Sequence, residues 1–420
     1  MGDIVQEWQI YGNRVLSGTI KIDGAKNALV AILPATILVK SIVELDNVPP
    51  LNDTYALIEI LKELDVKVIY DNRSKMILDS RGVKNIDLIS NNVKKLRASY
   101  YFMGALLGLY KRARVLSPGG CGFASRPIDL HLKAFSDMGI VHEVESDVYT
   151  FKRVGKGKRI IEFSKVSVGA SVNAILASCK RRGVTTLLNV AKEPEIDDLI
   201  DFLNKCGANV KRVNNTIVIR GVSELHGCRH SIIEDRIEAG TYLIIGACIG
   251  ENLRIKYKTP HKLKSLIDTL IMCGVDVKIE DDCMCVSMAK EIQDTYIICD
   301  VYPYIPTDLQ QPLSILFTKT RNKSVLQDKV YPSRYTQIDD LSKMGFKMQV
   351  IDGRLEVYNS LNITSSTVEC KDLRGGVSLV IASLMGEGIS RIRNVDHIKR
   401  GYFDMLNKLK KVGAVVYEKA

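Results

Sequence analysis

Residues 267–279, with the sequence IDTLIMCGVDVKI, carry the pattern on which the fold depends. Apolar residues recur at every third position up to Cys273, a spacing that places them on one face of a helix. Gly274 then suits the left-handed conformation that ends a helix. Apolar and polar residues alternate over positions 275–279, as they do in a strand. The stretch therefore predicts a helix that stops at a glycine and is followed at once by a strand.

The same pattern occurs six times along the chain. The residues one, four and seven positions before each of the six pivots are all apolar. The pivots lie 67 to 74 residues apart, close to 420/6 = 70, and are Asp65, Gly139, Gly207, Gly274, Gly345 and Gly413. The first is an aspartate, which also tolerates left-handed backbone. The chain is therefore a sixfold repeat, a property that constrains the whole fold.

Each repeat also opens with an earlier helix rich in small and apolar residues. These helices are predicted to begin near Asn27, Ala98, Ala170, Ala239, Asp308 and Gly375. A unit of about 70 residues with two helices and several short strands is large for a solenoid repeat, which favours closed lobes. Since single cores stop growing well below 420 residues, we predict an α/β (α+β) protein with two lobes of three repeats each.

The composition is that of a globular protein. The chain is 46% hydrophobic and 25% charged, which excludes a mainly disordered, collagenous or coiled-coil protein. Its longest apolar run, near residues 28–39, is interrupted by Pro34 and is too short for a membrane span. The first six residues lack a signal-peptide pattern, and we therefore expect a cytoplasmic protein without a membrane partner.

Cysteines and charges narrow the function classes further. Ten cysteines are too few for a disulfide framework, and the pair Cys283 and Cys285 has no second pair with which to bind zinc. The thiols are predicted to be reduced.

The 59 Lys and Arg against 48 Asp and Glu give a net charge of +11, spread through the sequence. This charge permits a nucleic-acid partner without requiring one.

Four basic residues occupy equivalent places in the repeats. Lys26, Arg97, Arg236 and Arg374 stand just before or at the opening helix of their units. A helix start has unpaired N–H groups and a partial positive charge, so that a cation there is unfavourable unless an anion binds too. We therefore predict that these starts converge around a pseudo-threefold axis in each lobe and form a basic cleft for an anion.

Several other residues leave two interpretations open. Cys121 lies between glycines, five residues before Arg126, where it is either a reactive thiol or an incidental residue of a turn. Asp308 and Asp129 lie at helix starts, where capping or first-turn stabilisation explains them. His131 lacks metal-like spacing to other ligands and is interpreted as a polar contact.

Nine motifs, in this order, resemble the UDP-N-acetylglucosamine enolpyruvyl transferase family. The resemblance covers essentially the whole chain. Its motifs are Gly24–Leu29, Leu96–Ser99, Pro118–Cys121, Arg126–His131, Ser167–Ala170, Asp235–Thr241, Pro306–Gln310, Asp372–Arg374 and Asp396–Tyr402.

This resemblance implies a fold and an activity. Members of the family transfer the enolpyruvyl group of phosphoenolpyruvate to the 3-hydroxyl of UDP-N-acetylglucosamine and release phosphate, the first committed step of peptidoglycan synthesis. The implied fold is a two-lobed inside-out α/β barrel. The first lobe would span 22–232 and carry the Cys121 loop, and the second would combine 1–21 with 233–420, with the active-site cleft between them.

The resemblance also assigns site residues. Catalysis would fall to Cys121, associated with protonation of phosphoenolpyruvate and with a covalent adduct, and to Asp308, the base for the sugar hydroxyl, assisted by Lys26 and Arg400. Phosphoenolpyruvate would bind to Lys26, Asn27, Arg126, Arg334, Arg374 and Arg400. UDP-N-acetylglucosamine would bind to Asn27, Arg97, Arg126, Pro127, Ile128, Asp129, Leu130, His131, Lys165, Ser167, Val168, Gly169, Asp308 and Val330.

The same resemblance implies which ligands bind, and two positions of this sequence depart from the family pattern. The family needs no metal or organic cofactor, binds no nucleic acid, and is inhibited by fosfomycin, which alkylates the residue matching Cys121. The net charge of +11 is then explained in part by two anionic substrates. Gly375 and Gly376 depart from the commoner pattern after Arg374, and we expect them to hold that arginine less firmly.

Two alternatives compete with this interpretation. One is the shikimate-pathway enolpyruvyl transferase, in which the Gly-Gly-Cys loop and the Arg126–His131 motif are not expected. The other is a non-catalytic regulatory paralogue that binds UDP-N-acetylglucosamine. Retention of the residues with implied catalytic and substrate-binding roles argues against it.

Overall fold

The computed structural model describes residues 6–119 and 127–419, and the chain divides into two compact units. One unit is Gly24–Ile233, and the other joins Met1–Asp23 to Glu234–Ala420. Each unit has its own hydrophobic core. The chain therefore crosses between the units twice, once after Asp23 and once after Ile233.

The elements of the first unit follow two strands that belong to the other one. These strands are β1 (Glu7–Tyr11) and β2 (Leu16–Lys21). The first repeat contains α1 (Lys26–Ala35), β3 (Ile42–Asp46), α2 (Asn52–Glu63), β4 (Lys67–Tyr70) and β5 (Met76–Asp79). The second contains α3 (Asn91–Lys95), a 3₁₀ turn (Arg97–Tyr100), α4 (Tyr101–Leu109), β6 (Arg112–Leu116), α5 (Asp129–Asp137), β7 (Ile140–Glu145) and β8 (Val148–Arg153). The third contains β9 (Ile160–Glu162), α6 (Val168–Ser178), β10 (Val184–Leu188), α7 (Pro194–Lys205), β11 (Asn209–Val213), β12 (Thr216–Arg220) and β13 (Arg229–Ser231).

The second unit repeats this order. Its first repeat contains α8 (Arg236–Ile249), β14 (Gly250–Lys256), α9 (Lys264–Met272), β15 (Asp276–Glu280) and β16 (Cys283–Ser287). The next contains β17 (Tyr296–Cys299), α10 (Thr307–Leu316), β18 (Lys323–Asp328), α11 (Ile338–Lys343), β19 (Met348–Ile351) and β20 (Arg354–Tyr358). The last contains β21 (Thr367–Glu369), α12 (Leu373–Met385), β22 (Ile389–Arg393), α13 (Asp396–Lys399), α14 (Met405–Lys411) and β23 (Val415–Lys419).

Six small sheets correspond to the six repeats. In the sheet β13-β3-β5-β4, the first pair of strands is parallel and the next two pairs are antiparallel. The other sheets are β6-β8-β7, β11-β12-β10-β9, β15-β16-β14-β2, β17-β18-β20-β19 and β21-β22-β1-β23. In the part of the chain that the structure describes, these sheets stay separate and do not join into one closed barrel.

The six pivots adopt the predicted conformation. The backbone angle φ is +78°, +91°, +93°, +90° and +103° at Gly139, Gly207, Gly274, Gly345 and Gly413, and it is +67° at Asp65. Only glycine, and less readily Asp or Asn, reaches this region without strain. The helix-to-strand pattern predicted from residues 267–279 is therefore confirmed in each repeat.

The helices that open the repeats lie in the middle of their units. In the second unit, α8 packs against both α10 and α12, and every residue of α8 is buried. In the first unit, α4 packs against α1 and α6 in the same way. The sheets lie outside these helices, as the term inside-out implies. All opening helices start within three residues of the predicted positions, and that of the second repeat begins as a 3₁₀ turn.

The segment before the first crossing is tied into the second unit by strands and by charge. The strand β1 lies between β22 and β23, and β2 runs parallel to β14. The Lys408 Nζ atom lies 2.7 Å from Asp23 Oδ2 and 2.5 Å from Glu238 Oε1. The second unit thus contains sheets and ion pairs that join its N-terminal segment to its C-terminal segment.

Two further expectations concern membranes and thiols. None of the helices in the described ranges is long and apolar enough to cross a membrane. Nine of the ten cysteines lie in these ranges, where all nine are free and eight are buried. The prediction of reduced thiols agrees with the structure for those nine.

Candidate active site

Asp308 lies at the start of α10 and contacts two arginines. Its Oδ1 accepts a hydrogen bond of 2.8 Å from Arg334 Nη1, and its Oδ2 accepts one of 3.1 Å from Arg374 Nη2. The Asp308 side chain is 24% exposed, whereas those of the arginines are 5% and 4% exposed. A ligand can therefore reach the carboxylate, while the two cations that hold it are buried.

The charge state of Asp308 follows from these contacts. Burial alone would raise the pKa of this carboxyl, but the positive charges of Arg374 and Arg334 hold it well below its usual range. Asp308 is ionised at neutral pH and is a weak base in this setting. It becomes a stronger base only where an anionic ligand draws the guanidinium groups away from it.

Arg374 is fixed by contacts from three segments. It follows the N-cap Asp372, whose Oδ1 accepts the backbone N–H of Arg374 at 3.0 Å. Its Nη1 donates to Tyr402 Oη at 2.8 Å, and its guanidinium lies 5.2 Å from the centroid of the Tyr402 ring. Thr241 donates its own hydroxyl proton to the Ile237 carbonyl, so that Thr241 Oγ1 accepts the Tyr402 hydroxyl proton at 2.8 Å. The helices α8 and α12 are thereby joined at Arg374.

The two glycines that follow Arg374 lie close to other residues, and their loosening effect on Arg374 stays a prediction. A Cβ atom at Gly376 would lie 2.2 Å from Cys370 Sγ, and one at Gly375 would lie 2.9 Å from Asp372 Oδ2. A side chain at either position would therefore require the neighbouring side chains to shift. Arg374 itself is only 3% exposed.

Arg334 and Val330 lie on a loop that Asp328 organises. Asp328 Oδ1 accepts the backbone N–H groups of Val330 at 2.8 Å and of Tyr331 at 2.9 Å. Its Oδ2 accepts the hydroxyl proton of Thr307, the first residue of α10. One carboxylate therefore ties this loop to the helix start that carries Asp308.

Arg400 lies close to this cluster along the chain. It follows α13 directly, is half-buried, and stands two residues before Tyr402, the partner of Arg374. Of the predicted residues of the second unit, the structure brings Asp308, Arg334 and Arg374 into direct contact, with Val330 and Arg400 on adjoining segments.

In the first unit, Lys26 and Asn27 open α1. The Lys26 Nζ atom lies 2.6 Å from Asp53 Oδ2, and these side chains are 14% and 5% exposed. Asp53 lies in the first turn of α2 and belongs to none of the sequence motifs. The cation predicted at this helix start thus has a carboxylate partner from the second helix of the repeat.

Arg97, His131 and Gly169 come together from three segments of the first unit. The Arg97 guanidinium lies 5.9 Å from the centroid of the Tyr100 ring, and that ring lies 4.8 Å from the ring of His131. A Cβ atom at Gly169 would lie 2.8 Å from both Tyr100 Oη and His131 Cε1. The predicted binding residues at the starts of α5 and α6 therefore meet the 3₁₀ turn that carries Arg97.

The remaining predicted residues of this unit lie on the same two helix starts. Ser167 caps α6, because its Oγ accepts the Ala170 N–H at 3.3 Å. Lys165 is exposed and Val168 is half-buried, beside the buried Gly169. At the start of α5, Pro127 and Asp129 are exposed, Ile128 is buried and Leu130 is half-buried. Cys121 and Arg126 lie outside the described residues.

His131 is held as a neutral ring with one defined tautomer. Asn173 Oδ1 accepts the Gly104 N–H at 2.7 Å, and therefore Asn173 Nδ2 donates to His131 Nδ1 at 2.8 Å. The proton of the neutral ring is then on Nε2. Burial, with a smaller effect from the Arg97 charge, lowers the pKa of His131 to about 3. His131 supplies an uncharged N–H group at neutral pH.

This buried histidine predicts a pH-dependent stability. Between about pH 6.5 and 3 the unfolded chain binds the proton that the folded chain excludes, so that stability falls as the pH falls through this window. We expect His131→Gln to reduce the slope of unfolding free energy against pH by up to about 1.4 kcal/mol per pH unit. Urea denaturation at pH 7, 6, 5 and 4 measures this slope, and equal slopes for both proteins would contradict the prediction.

Asp198, Asp201 and His230 form the one group in the described residues with metal-ligand proximity. His230 Nε2 lies 3.1 Å from Asp198 Oδ1, and its Nδ1 lies 3.6 Å from Asp201 Oδ2. The two carboxylates thus face opposite nitrogens of one ring. The Lys205 ammonium also lies 2.7 Å from Asp201. These contacts explain the cluster as a hydrogen-bonded connection between α7 and β13.

Sequence reasoning missed several residues that support the predicted site residues within each unit, namely Asp53, Tyr100 and Asn173 in the first and Thr241, Asp328 and Tyr402 in the second. Three of them had a signal in the sequence. Thr241 and Tyr402 stand inside motifs of the resemblance, and Asp328 stands two residues before Val330, the spacing of an Asx turn. Asp53, Tyr100 and Asn173 contact Lys26 or His131, which are distant in sequence, and these contacts are visible only in the fold.

Comparisons with known proteins agree on one family. The family model described as EPSP synthase (3-phosphoshikimate 1-carboxyvinyltransferase) matches residues 10–409. The chain is 44% identical to a UDP-N-acetylglucosamine 1-carboxyvinyltransferase 2 of Listeria monocytogenes serovar 1/2a, over 96% of each chain. It is 40% identical to the protein of the same name from Bacillus cereus strain ZK, over 97% of this chain and 95% of that one.

Solved structures show the same fold. The enolpyruvyl transferase NikO from Streptomyces tendae matches with a TM-score of 0.90 at 24% identity, over 99% of each chain. An EPSP synthase from Acinetobacter baumannii matches with a TM-score of 0.75 at 14% identity, over 99% of this chain and 100% of that one. At these identities the likeness concerns the fold alone.

Proposed function

Since this chain belongs to the EPSP synthase family, and within it to the UDP-N-acetylglucosamine 1-carboxyvinyltransferases, we propose that it transfers the enolpyruvyl group of phosphoenolpyruvate to the 3-hydroxyl of UDP-N-acetylglucosamine. Phosphate is the second product. The family predicted from the sequence motifs is confirmed by these relatives. A cytoplasmic location and the first committed step of peptidoglycan synthesis complete the proposal.

The observation that carries the proposal is the contact of Asp308 with Arg334 and Arg374. An accessible carboxylate is held ionised by two buried guanidinium groups. Planar guanidinium forks suit phosphate and carboxylate groups, both of which phosphoenolpyruvate carries. When that substrate engages the arginines, Asp308 loses part of its stabilisation and gains the basicity needed to take the proton of the sugar hydroxyl.

The reaction is an addition followed by an elimination. In the addition, the methylene carbon of phosphoenolpyruvate gains a proton, for which we propose Cys121 as donor, while the sugar oxygen bonds to the neighbouring carbon and its proton passes to Asp308. In the elimination, the new methyl group loses a proton and the bond to the phosphate oxygen breaks. No electrons are exchanged with an outside acceptor, and acid–base groups are sufficient.

The remaining predicted residues have binding roles in this proposal. Lys26, Arg126 and Arg400 would neutralise phosphoenolpyruvate. Arg97 would face the diphosphate of the sugar nucleotide, beside the uncharged Nε2–H group of His131. The close approach of Gly169 to Tyr100 and His131 holds the starts of α5 and α6 beside the 3₁₀ turn that carries Arg97.

A phosphate-release assay tests the function against its nearest alternative. We expect release with phosphoenolpyruvate and UDP-N-acetylglucosamine, and none with shikimate 3-phosphate as the acceptor. Release with shikimate 3-phosphate alone would favour a 3-phosphoshikimate 1-carboxyvinyltransferase. Binding of the sugar nucleotide without any release would favour a regulatory paralogue. Cys121→Ala is expected to lose activity in the same assay.

Fosfomycin sensitivity tests the role of Cys121 separately. We expect the inhibitor to inactivate the wild-type protein and to add one mass equivalent at Cys121, because an accessible thiolate near cations is the reactive form. Cys121→Asp is expected to retain some activity and to escape inactivation. Cys228→Ser, which removes a half-buried thiol elsewhere, is the matched control and should stay sensitive. Equal inactivation of Cys121→Asp and the wild type would contradict the assignment.

A further inference from the structure

Two thiols of the first unit lie in contact. The Sγ atoms of Cys206 and Cys228 are 3.2 Å apart, although the residues are 22 positions apart in sequence. A disulfide bond has a sulfur–sulfur distance of about 2.05 Å. The two atoms therefore need to approach by only about 1 Å to form a covalent bond.

The backbone holds both residues in place. Cys206 ends α7, where its N–H donates to the Phe202 and Leu203 carbonyls, and its own carbonyl accepts the His226 N–H at 2.9 Å. The Cys228 carbonyl accepts the Glu44 N–H at 3.0 Å. The contact between the thiols is thus set by the end of α7 and by the residue directly before β13, whose carbonyl is hydrogen-bonded to β3.

The surroundings distinguish the two thiols. Cys206 is fully buried, whereas Cys228 is half-buried and is reachable from solvent. The hydrogen bond from Cys206 lowers the pKa of Cys228, and the nearby Lys205 charge acts in the same direction, against the effect of burial. Cys228 is therefore the thiol that ionises more readily and meets a reagent first, and Cys206 lies behind it.

We propose that Cys206 and Cys228 are a redox modification site, forming a reversible disulfide when the folded protein meets a peroxide. The Cys228 thiolate attacks one peroxide oxygen, which gives a sulfenic acid and releases one water or alcohol. The Cys206 sulfur then attacks the Cys228 sulfur, forms the disulfide and releases water. Two thiols lose two electrons and two protons, the peroxide is reduced by two electrons, and a small thiol reverses the reaction by exchange.

The disulfide would join the end of α7 to the residue directly before β13. Asp198 on α7 already accepts the Ile233 N–H at 3.3 Å and contacts His230 on β13. The disulfide adds a covalent link beside these contacts, in the segment that leads to the second crossing of the chain. We expect it to stabilise the unit Gly24–Ile233 by restricting the unfolded chain.

Peptide mapping of the oxidised protein tests the site directly. The folded full-length protein is treated with hydrogen peroxide, its remaining thiols are blocked, and its peptides are analysed by mass spectrometry. We expect a Cys206–Cys228 linked peptide that disappears after dithiothreitol. We also expect Tm to rise by roughly 5–10 °C on oxidation and to return on reduction.

Variants separate this site from other thiols. Cys206→Ser should leave Cys228 as a sulfenic acid that dimedone traps, with no rise in Tm. Cys283→Ser, in a buried strand of the other unit, is the matched control and should form the linked peptide as the wild type does. The proposal is overturned if peroxide links Cys228 to another cysteine, or oxidises it further with Cys206 present and reduced.

Discussion

Replacing Asp308 by asparagine is expected to lower kcat for phosphate release about 10³-fold. The amide has nearly the same shape as the carboxylate but cannot take the proton of the sugar hydroxyl, and loss of a general base costs about 10²- to 10⁴-fold. The change also leaves Arg334 and Arg374, both at most 5% exposed, without their shared counter-charge. Steady-state kinetics with both substrates saturating measures the effect.

A second ion pair provides the control for this prediction. Asp87→Asn removes the partner of Arg114 at 2.6 Å, where both side chains are about a third or more exposed. Exposed ion pairs contribute about 0–1 kcal/mol, so that both kcat and the free energy of unfolding should stay near the wild-type values. Asp308→Asn with more than a tenth of the wild-type kcat would show that Asp308 is not the base.

Replacing Arg374 by lysine is expected to lower kcat/KM for phosphoenolpyruvate by roughly 10- to 100-fold. Arg374 reaches Asp308 with one nitrogen and Tyr402 with another, and a single ammonium group cannot make both contacts. Loss of one charge-assisted hydrogen bond corresponds to about 1.5–3 kcal/mol, and each 1.4 kcal/mol is a factor of ten. Because lysine keeps the positive charge, the loss of kcat/KM measures the loss of the two-sided contact and not of the charge.

The matched control for Arg374 is an exposed arginine of the same unit. Arg321 pairs with Glu291 at 2.6 Å, and both side chains are more than half exposed. Arg321→Lys should leave kcat/KM unchanged. If the two lysine variants had the same kcat/KM, the two-sided contact of Arg374 would have no part in binding phosphoenolpyruvate.

Local periodicity was enough to predict the repeating part of the fold. The three-residue apolar spacing and the pivots identify helix ends, and even Asp65 takes the left-handed conformation predicted for it. The same pattern does not say which strands pair. The strand β1 lies between β22 and β23, about 380 and 410 residues away along the chain, and this placement depends on the packing of the whole unit.

In the candidate site, too, local motifs predict individual residues but not the contacts between them. The motifs contain Asp308 and Arg374, and the family resemblance adds Arg334, but the contact of these residues depends on the fold, in which α10 and α12 pack side by side. Lys26 was predicted as a cation at a helix start, whereas its partner Asp53 carries no motif. The close approach of the Cys370 side chain to Gly376 likewise depends on the fold and has no signal in the sequence.

The position of β1 has a consequence for synthesis on the ribosome. The nearest residue that pairs with this strand, Ile389, follows Tyr11 by 389 − 11 = 378 residues, and at about 5–20 residues per second it emerges roughly 20–80 s later. The unit Gly24–Ile233 has all its strands by then. During this interval the apolar side chains of Trp8 and Ile10, buried in the finished protein, have no sheet to enter. The strand β1 is therefore synthesised long before its partner strands and is among the last elements of the second unit to fold.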